Sequence, residues 1–144
     1  MAMTMTLTQS SIYIGLARLR KKMFGAMYTM DKGARIIYGT PIMQEIGKAL
    51  AYFTLAYTVK DKRAEYIDEC VGHYTVARID IQFCFDENLF KFKKHSAKID
   101  DQTEAMEINP QKVELAKLIA MIDNDISKYQ VSSRKGKTLA DDKT

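Results

Sequence analysis

The side chains best suited to metal chemistry are two cysteines and two histidines. Cys70 and His73 are three residues apart, a spacing that places both on one helix face and suits two zinc ligands. Cys84 is the only other thiol and His95 the only other imidazole, so no second pair of ligands completes a zinc site. A di-iron bundle needs glutamates followed by histidine at the third position, and neither histidine has that neighbour. We therefore expect no metal and no cofactor, and we interpret His73 as a structural polar group.

Motifs of nucleophilic and nucleotide chemistry are absent from the sequence. It contains no Gly-x-Ser-x-Gly elbow, no glycine-rich phosphate loop and no dinucleotide fingerprint. Cys70 and Cys84 would lie about 21 Å apart along one helix, beyond the reach of a disulfide. We expect both thiols to be reduced and buried, as in a cytoplasmic protein. The sequence thus predicts a protein that is not an enzyme. A metal-dependent bundle oxidase is the alternative from the enzyme class, and elemental analysis of the purified protein tests it.

Positive charge is the chemical feature that remains. The chain of 144 residues has a net charge of +4 and a pI near 9.0, which permits a polyanionic partner without demanding one. Few aromatic groups lie among the basic residues, which favours contacts to phosphates over stacking on bases. The simpler interpretation, that these basic residues are only solvated at helix ends, remains an alternative. The candidate nucleic-acid-binding residues are Arg18, Arg20, Lys21, Lys22, Lys60, Lys62, Arg63, Arg78, Arg134, Lys135 and Lys137.

Four stretches with apolar residues at helical spacing carry these charges. They predict an all-α protein, an up-down-up-down four-helix bundle over residues 11–130. Residues 1–10 and 131–144 lack periodicity and are expected to be disordered. No apolar run is long enough to cross a membrane, and the N-terminus lacks the pattern of a secretory signal.

Local signals predict where the helices begin and end. Lys32-Gly33 is a plausible stop for the first helix, and Thr40-Pro41 a good start for the second. Asp61 is a candidate cap for a central helix that runs to Phe90. Residues 91–108 form the longest break, and Asn109-Pro110 opens the last helix.

The predicted topology gathers basic residues that are far apart in sequence. The start of the first helix, the turn after the second and the end of the fourth would meet at one pole of the bundle. We expect this pole to bind phosphates. Arg78 lies within the apolar stripe of the central helix and needs a carboxylate such as Asp80 or Glu45, or a position at a subunit boundary.

Aromatic side chains are more numerous than one core stripe requires. Because aromatic residues are enriched in interface cores, a second apolar face used for subunit association is favoured over ordinary partial exposure. The candidate oligomer-interface residues are Tyr52, Tyr57, Tyr74 and Phe83.

The order of segments resembles a known family. Residues 33–39 lead into the second helix, Lys60-Asp61-Lys62-Arg63 precedes a long third helix, and Asn109-Pro110 opens the fourth. This layout, over roughly Leu16 to Tyr129, is similar to the accessory variability determinant proteins of diversity-generating retroelements. That family lies within a wider four-helix-bundle group that includes proteins encoded in ribosomal RNA intervening sequences. The third-helix positions that carry the resemblance are Tyr74, Ala77, Arg78, Ile81 and Phe85.

The resemblance implies a function that the residues alone do not reveal. It implies a homopentameric barrel that binds a reverse transcriptase and template RNA or RNA/DNA, and that supports mutagenic complementary-DNA synthesis. The long 91–108 loop and a fourth helix ending in Ser127-Lys128-Tyr129 depart from the family pattern. A bundle that acts as a protein–protein scaffold, without a nucleic-acid role, is the alternative. The basic positions that match are Lys60, Lys62, Arg63, Arg78, Arg134, Lys135 and Lys137.

Overall fold

The chain folds as a bundle of helices, as the apolar spacing predicts. The computed structural model describes residues 10–92, 95–97, 106–108 and 110–141, with side chains described over residues 10–92 and 110–130. No helix in this described part is both long enough and apolar enough to cross a membrane. The helices are α1 (Ser11–Met27), α2 (Lys32–Ala34), α3 (Thr40–Thr58), α4 (Arg63–Asp86) and α5 (Pro110–Asp141).

Successive long helices run in opposite directions around one core. In the α3–α4 pair, which has the most extensive packing, Ala56 meets Arg63 at one end and Tyr38 meets Phe83 at the other. Helix α1 packs on both α3 and α5. Large side chains from all four long helices are buried together because each helix turns one apolar stripe inward. Members of this core include Leu16, Leu19, Ile42, Ile46, Phe53, Tyr74, Ile81, Leu115 and Ile122.

Helices α1 and α5 pack tightly at Gly15. A Cβ atom built on Gly15 would lie 2.8 Å from Cγ1 of Ile122, a buried atom of α5. Further along α1, Lys22 meets Glu114 at 2.8 Å, so the two helices are antiparallel. The absent side chain at Gly15 therefore permits the close contact with Ile122 in this register of the two helices.

The second long helix begins earlier than Thr40-Pro41 predicts. The chain is already helical from Lys32, and residues 35–39 form a π-helical turn in which the Thr40 amide donates to the Arg35 carbonyl. Proline lacks an amide hydrogen and its ring crowds the carbonyl four residues back, and the π turn lies directly before Thr40-Pro41. Thr40 is therefore not an N-cap. Gly33 does not stop α1, because no glycine in the described chain adopts positive φ.

Helix α4 is shorter at both ends than the sequence indicates. A 3-10 turn at Lys60–Lys62 precedes it, and no side chain caps its first residue, so the prediction of Asp61 as the cap is wrong. It ends in a Schellman motif: Asn88 has φ 53°, its amide donates to Phe85, and the Leu89 amide donates to Cys84. Asparagine tolerates this left-handed conformation better than most residues.

The segment between α4 and α5 contains a small hairpin that the sequence does not indicate. Strands β1 (His95–Ala97) and β2 (Met106–Ile108) pair antiparallel, with His95 opposite Ile108. Three residues per strand are too few to give a clear two-residue alternation, so the pattern of the sequence does not reveal them.

The last helix continues past its predicted end near residue 130. Among the described side chains of α5, Ile126 is the last one buried in the core, and the backbone is helical to Asp141. This difference from the expected tail follows from composition, because the extension has no proline and contains good helix formers such as Lys135 and Ala140. The prediction that residues 1–9 and 142–144 are disordered falls outside the described residues.

Candidate nucleic-acid interface

The predicted basic residues lie in separate places rather than at one pole. We define the first pole as the end of the bundle where α1 and α4 begin and α3 ends. Lys22 is eleven residues after Ser11, about 16 Å from that pole along the axis, and it contacts the first turns of α5. The prediction that the α1 cations join the α3–α4 turn at one pole is therefore wrong. The reason is position within the helix, because the cations of α1 begin at its middle, with Arg18, and continue into its second half.

Helix α1 carries exposed positive charge without a carboxylate of its own. It has four basic residues and no carboxylate, and all four of these side chains are exposed. We call this set the α1 basic row. Lys22 is paired with Glu114, whereas no carboxylate of the described residues lies within ion-pair distance of the other three. The α1 basic row is Arg18, Arg20, Lys21 and Lys22.

The Lys22–Glu114 pair has a measurable electrostatic consequence. The hydrogen bond from Lys22 and its positive charge hold the pKa of the Glu114 carboxyl below its ordinary value, although that carboxyl is exposed. Glu114 therefore stays ionised beside the α1 basic row, and the positive charge of Lys22 neutralises it.

A cleft of about 490 Å³ opens between α1 and the start of α5. Its rim carries Arg18, Lys21 and the Lys22–Glu114 pair, and Gln111 lies among its lining residues. The remaining lining is apolar or lacks a side chain, and it comprises Gly25, Ala26, Phe92 and Leu115.

The α3–α4 turn uses one of its three cations for structure. The Nε–H of Arg63 donates to the Ala56 carbonyl at 2.9 Å, and its guanidinium lies 5.4 Å from the centre of the Tyr57 ring. Lys60 and Lys62 are exposed. This turn therefore presents fewer free charges than the sequence suggests.

Arg78 is tied to α5, which corrects its expected partners Asp80 and Glu45. Its Nη1 lies 3.5 Å from Asp123 Oδ2, and the Tyr74 hydroxyl donates to the other oxygen of Asp123 at 2.7 Å. The Nε atom of Arg78 is buried without a hydrogen-bond partner in the described residues. Burial, then the bond to Asp123, raises the pKa of Tyr74 above its ordinary value. Arg78 thus joins α4 to α5 and is a poor candidate for direct phosphate contact.

Arg134, Lys135 and Lys137 lie on the part of α5 beyond Ile126. Only the backbone is described there, so their predicted role in binding lies outside the described side chains. Their helix position places them past the core in the direction of the first pole.

Of the predicted interface residues, Phe83 has the exposure that an interface requires. Tyr74 is buried within the protomer, so its assignment to an interface is wrong. Tyr52 is half-buried between His73 and Tyr66, and Tyr57 is half-buried beneath Arg63. The sequence places them on an extra face because aromatic rings that fill the α3–α4 seam have the same helical spacing as an outer stripe.

An exposed apolar strip runs along α4 and the helical segment that leads into α3. Phe83 packs on Tyr38 with ring centres 5.2 Å apart, which makes the two parts continuous. The sequence does not single out Ile36 and Ile37, because their stretch has the pattern of a short connection. We call this surface the apolar strip: Ile36, Ile37, Tyr38, Val76, Ile79 and Phe83.

His73 occupies the α3–α4 seam, in agreement with its interpretation as a structural group. Its Nδ1 lies 2.6 Å from Glu45 Oε2, and its ring stacks on Tyr52. No group of three or more metal-ligating side chains in the described residues is arranged to hold an ion. Cys70 and Cys84 are free and buried, and burial raises their pKa values to about 12 and about 11.

Comparison of the sequence with protein-family models finds no match, and neither curated proteins nor solved structures give one.

Proposed function

We propose that this protein is a non-catalytic, self-associating helical bundle that binds nucleic-acid phosphates through the α1 basic row. The observation that carries the proposal is the charge of α1, which has four cations, no carboxylate and one ion pair to a described residue. Phosphate contacts need accessible cations and no base-reading groups, so this surface suits sequence-independent binding.

The distribution of charge over the bundle supports the same proposal. Helix α4 carries five carboxylates and two arginines, the reverse of α1. Because α1 packs on α3 and α5 whereas α3 packs on α4, the cationic and acidic helices lie diagonally across the bundle. A polyanion is therefore attracted to one side of the protomer and repelled by the other.

In the terms of the family resemblance, the proposed role is that of an accessory subunit of a diversity-generating retroelement. The bundle would hold template RNA or RNA/DNA near a reverse transcriptase while mutagenic complementary DNA is made. A reverse transcriptase reading frame and a variable repeat beside the gene would support this role. Failure of the purified protein to bind that reverse transcriptase would contradict it.

Fluorescence anisotropy with a single-stranded RNA tests binding to phosphates. We expect the double variant Arg18→Glu/Lys21→Glu to weaken binding by about tenfold or more. It should also reduce the slope of log affinity against log salt by about 1.4, since each phosphate that is no longer neutralised changes that slope by about 0.7. The matched control is Lys60→Glu/Lys62→Glu, which changes the same charge at the α3–α4 turn. A larger fall in affinity in the control would contradict the assignment to α1, and salt-independent affinity would contradict phosphate binding altogether.

The apolar strip supports the proposed self-association, with a second copy of the chain as its occupant. Ile37 is 63% exposed and Ile79 is 58% exposed, and adjacent apolar exposure of this kind marks interaction surfaces. Half of the strip lies on the acidic helix α4, while the exposed Phe24 lies on the basic helix α1 and Tyr28 directly follows it. Contact between these two unlike faces of neighbouring copies would be head-to-tail, the arrangement that closes a ring such as a pentamer.

Light scattering during gel filtration measures the assembly. We expect Ile79→Asp to yield monomers, and the control Val113→Asp to keep the native mass because this exposed α5 residue lies off the strip. An assembly unchanged by Ile79→Asp would contradict the strip as the interface. Loss of RNA binding with assembly intact would separate the two parts of the proposal. An assembled protein that binds no RNA would favour the scaffold alternative.

A further inference from the structure

The cleft between α1 and α5 contains a glycine whose missing side chain the fold does not need. A Cβ atom on Gly25 would have no described neighbour within 4 Å, in contrast to Gly15 on the same helix. Gly33, Gly47 and Gly72 have equally open surroundings, but of these four glycines Gly25 is the one that lines the cleft. Its effect in the structure is to keep the wall of the cleft open.

The charges of the cleft suit an anion. Three cations and one carboxylate line it, which leaves a net charge of +2. Glu114 does not oppose an anion strongly, because Lys22 neutralises it at 2.8 Å. Arg18 and Lys21 remain without a carboxylate partner among the described residues and are able to share one phosphate.

The other lining groups suit a flat organic group rather than inorganic phosphate alone. Ala26, Phe92 and Leu115 give the cleft an apolar inner surface, and its volume of about 490 Å³ is that of a small-molecule pocket. Gln111 adds a side-chain amide, which offers a donor and an acceptor together, the combination that pairs with the edge of adenine.

We propose that this cleft binds one nucleoside monophosphate, with the phosphate held by Arg18 and Lys21 and the base lying over Gly25 toward Gln111. The ligand is either a free nucleotide or the phosphorylated end of a single strand, since both present the same chemical unit. The inference deepens the proposed function, because it assigns two members of the α1 basic row to a defined pocket.

Calorimetry with AMP, adenosine and inorganic phosphate provides the test on the full chain. We expect AMP to bind, and adenosine and phosphate to bind at least tenfold more weakly, because each makes only part of the interactions that AMP makes. Gly25→Leu should reduce AMP affinity at least tenfold while the melting temperature stays the same or rises. Gly47→Leu is the matched control, because a Cβ atom at this α3 position also has no described neighbour and the residue lies outside the cleft.

Competition identifies the natural source of the ligand. Both strands compete with AMP through internal phosphates at Arg18 and Lys21, so displacement by the 5′-phosphorylated oligonucleotide at a concentration at least tenfold lower than by the 5′-hydroxyl strand supports binding of a strand end. Binding of AMP with equal displacement by the two strands supports a free nucleotide. Absence of AMP binding, or equal AMP affinity in Gly25→Leu and the native protein, overturns the inference. RNA binding that is lost in Arg18→Glu/Lys21→Glu but unchanged in Gly25→Leu would leave the proposed function standing and refute only the cleft.

Discussion

Two corners of the bundle are built in the same way from unlike sequences. At the corner after α1, Arg35 reaches back eight residues and donates to the Met27 carbonyl, and it lies over the Tyr28 ring at 4.9 Å. At the corner after α3, Arg63 reaches back seven residues to the Ala56 carbonyl and lies over the Tyr57 ring. Each arginine satisfies carbonyl groups at a helix C-terminus, where a positive charge is also favoured by the helix dipole.

The two corners differ in how many backbone carbonyls each arginine bonds. Arg35 also donates to the Tyr28 and Met30 carbonyls, so its guanidinium joins three backbone oxygens, whereas Arg63 joins one. The comparison shows that basic residues in the described part of this chain differ in how many hydrogen bonds they donate to backbone carbonyls, from three for Arg35 and one for Arg63 to none for the exposed cations of α1. The net charge of the sequence therefore overstates the charge that a polyanion can use.

The largest effect on stability is expected at Arg35. Arg35→Ala removes three charge-assisted hydrogen bonds from a partly buried corner, and we expect the free energy of unfolding to fall by about 2 kcal/mol. Urea denaturation measures the change. Arg35→Lys is the control, because an ammonium keeps the charge but cannot bridge three carbonyls. Native stability in the lysine variant would show that charge alone, rather than the guanidinium fork, holds the corner.

A smaller loss of stability is expected at Arg63. Arg63→Ala removes one hydrogen bond and one cation–π interaction at an exposed corner, so we expect the free energy of unfolding to fall by about 1 kcal/mol. The same urea experiment checks it. Because the Arg63 guanidinium is already engaged, RNA affinity should fall no more than in Lys60→Ala. A clearly greater loss of RNA binding in Arg63→Ala would return this residue to the nucleic-acid surface.

The positions of the helices follow from the sequence more closely than their ends do. Stripes such as Leu16–Leu19–Met23 have an unambiguous helical period, and burial alone decides which face turns inward. The start of the second long helix is misplaced by the sequence because the Thr40-Pro41 signal is local. The helical turn before it is stabilised by Arg35, whose acceptors include a carbonyl of α1 and are invisible to a local pattern.

The candidate site is harder to predict for a geometric reason. Which pole a charge occupies depends on how far along its helix it lies, and Lys22 is far enough along α1 to meet α5 at Glu114. That register includes the close contact of Gly15 with Ile122, which no periodicity reveals. The cleft depends on the same register, since its lining comes from α1, α5 and Phe92.

The expected effect of Arg78 on the free energy of unfolding is smaller than that of Arg35 or Arg63 and larger than that of an unpaired cation. Its ion pair with Asp123 is partly exposed, so solvent screens it, and Arg78→Ala should reduce the free energy of unfolding by about 0.5 kcal/mol. A double-mutant cycle with Asp123→Ala measures the coupling directly. The pair connects α4 to α5, and a coupling above about 1.5 kcal/mol would place Arg78 with Arg35 as a corner-type structural residue.

The smallest effect is expected at Lys22, the one paired member of the α1 basic row. Its hydrogen bond lowers the pKa of the exposed Glu114 carboxyl, so the pair contributes stability above the unfolded carboxyl pKa and loses it as the pH falls through the folded value. Because both groups are exposed, Lys22→Ala should leave the urea midpoint unchanged at pH 7. The titration midpoint of Glu114, followed by NMR, should instead rise toward its ordinary value. An unchanged titration midpoint of Glu114 would mean that Lys22 is unpaired in solution. Lys22 would then join Arg18 and Lys21 as a charge open to phosphate.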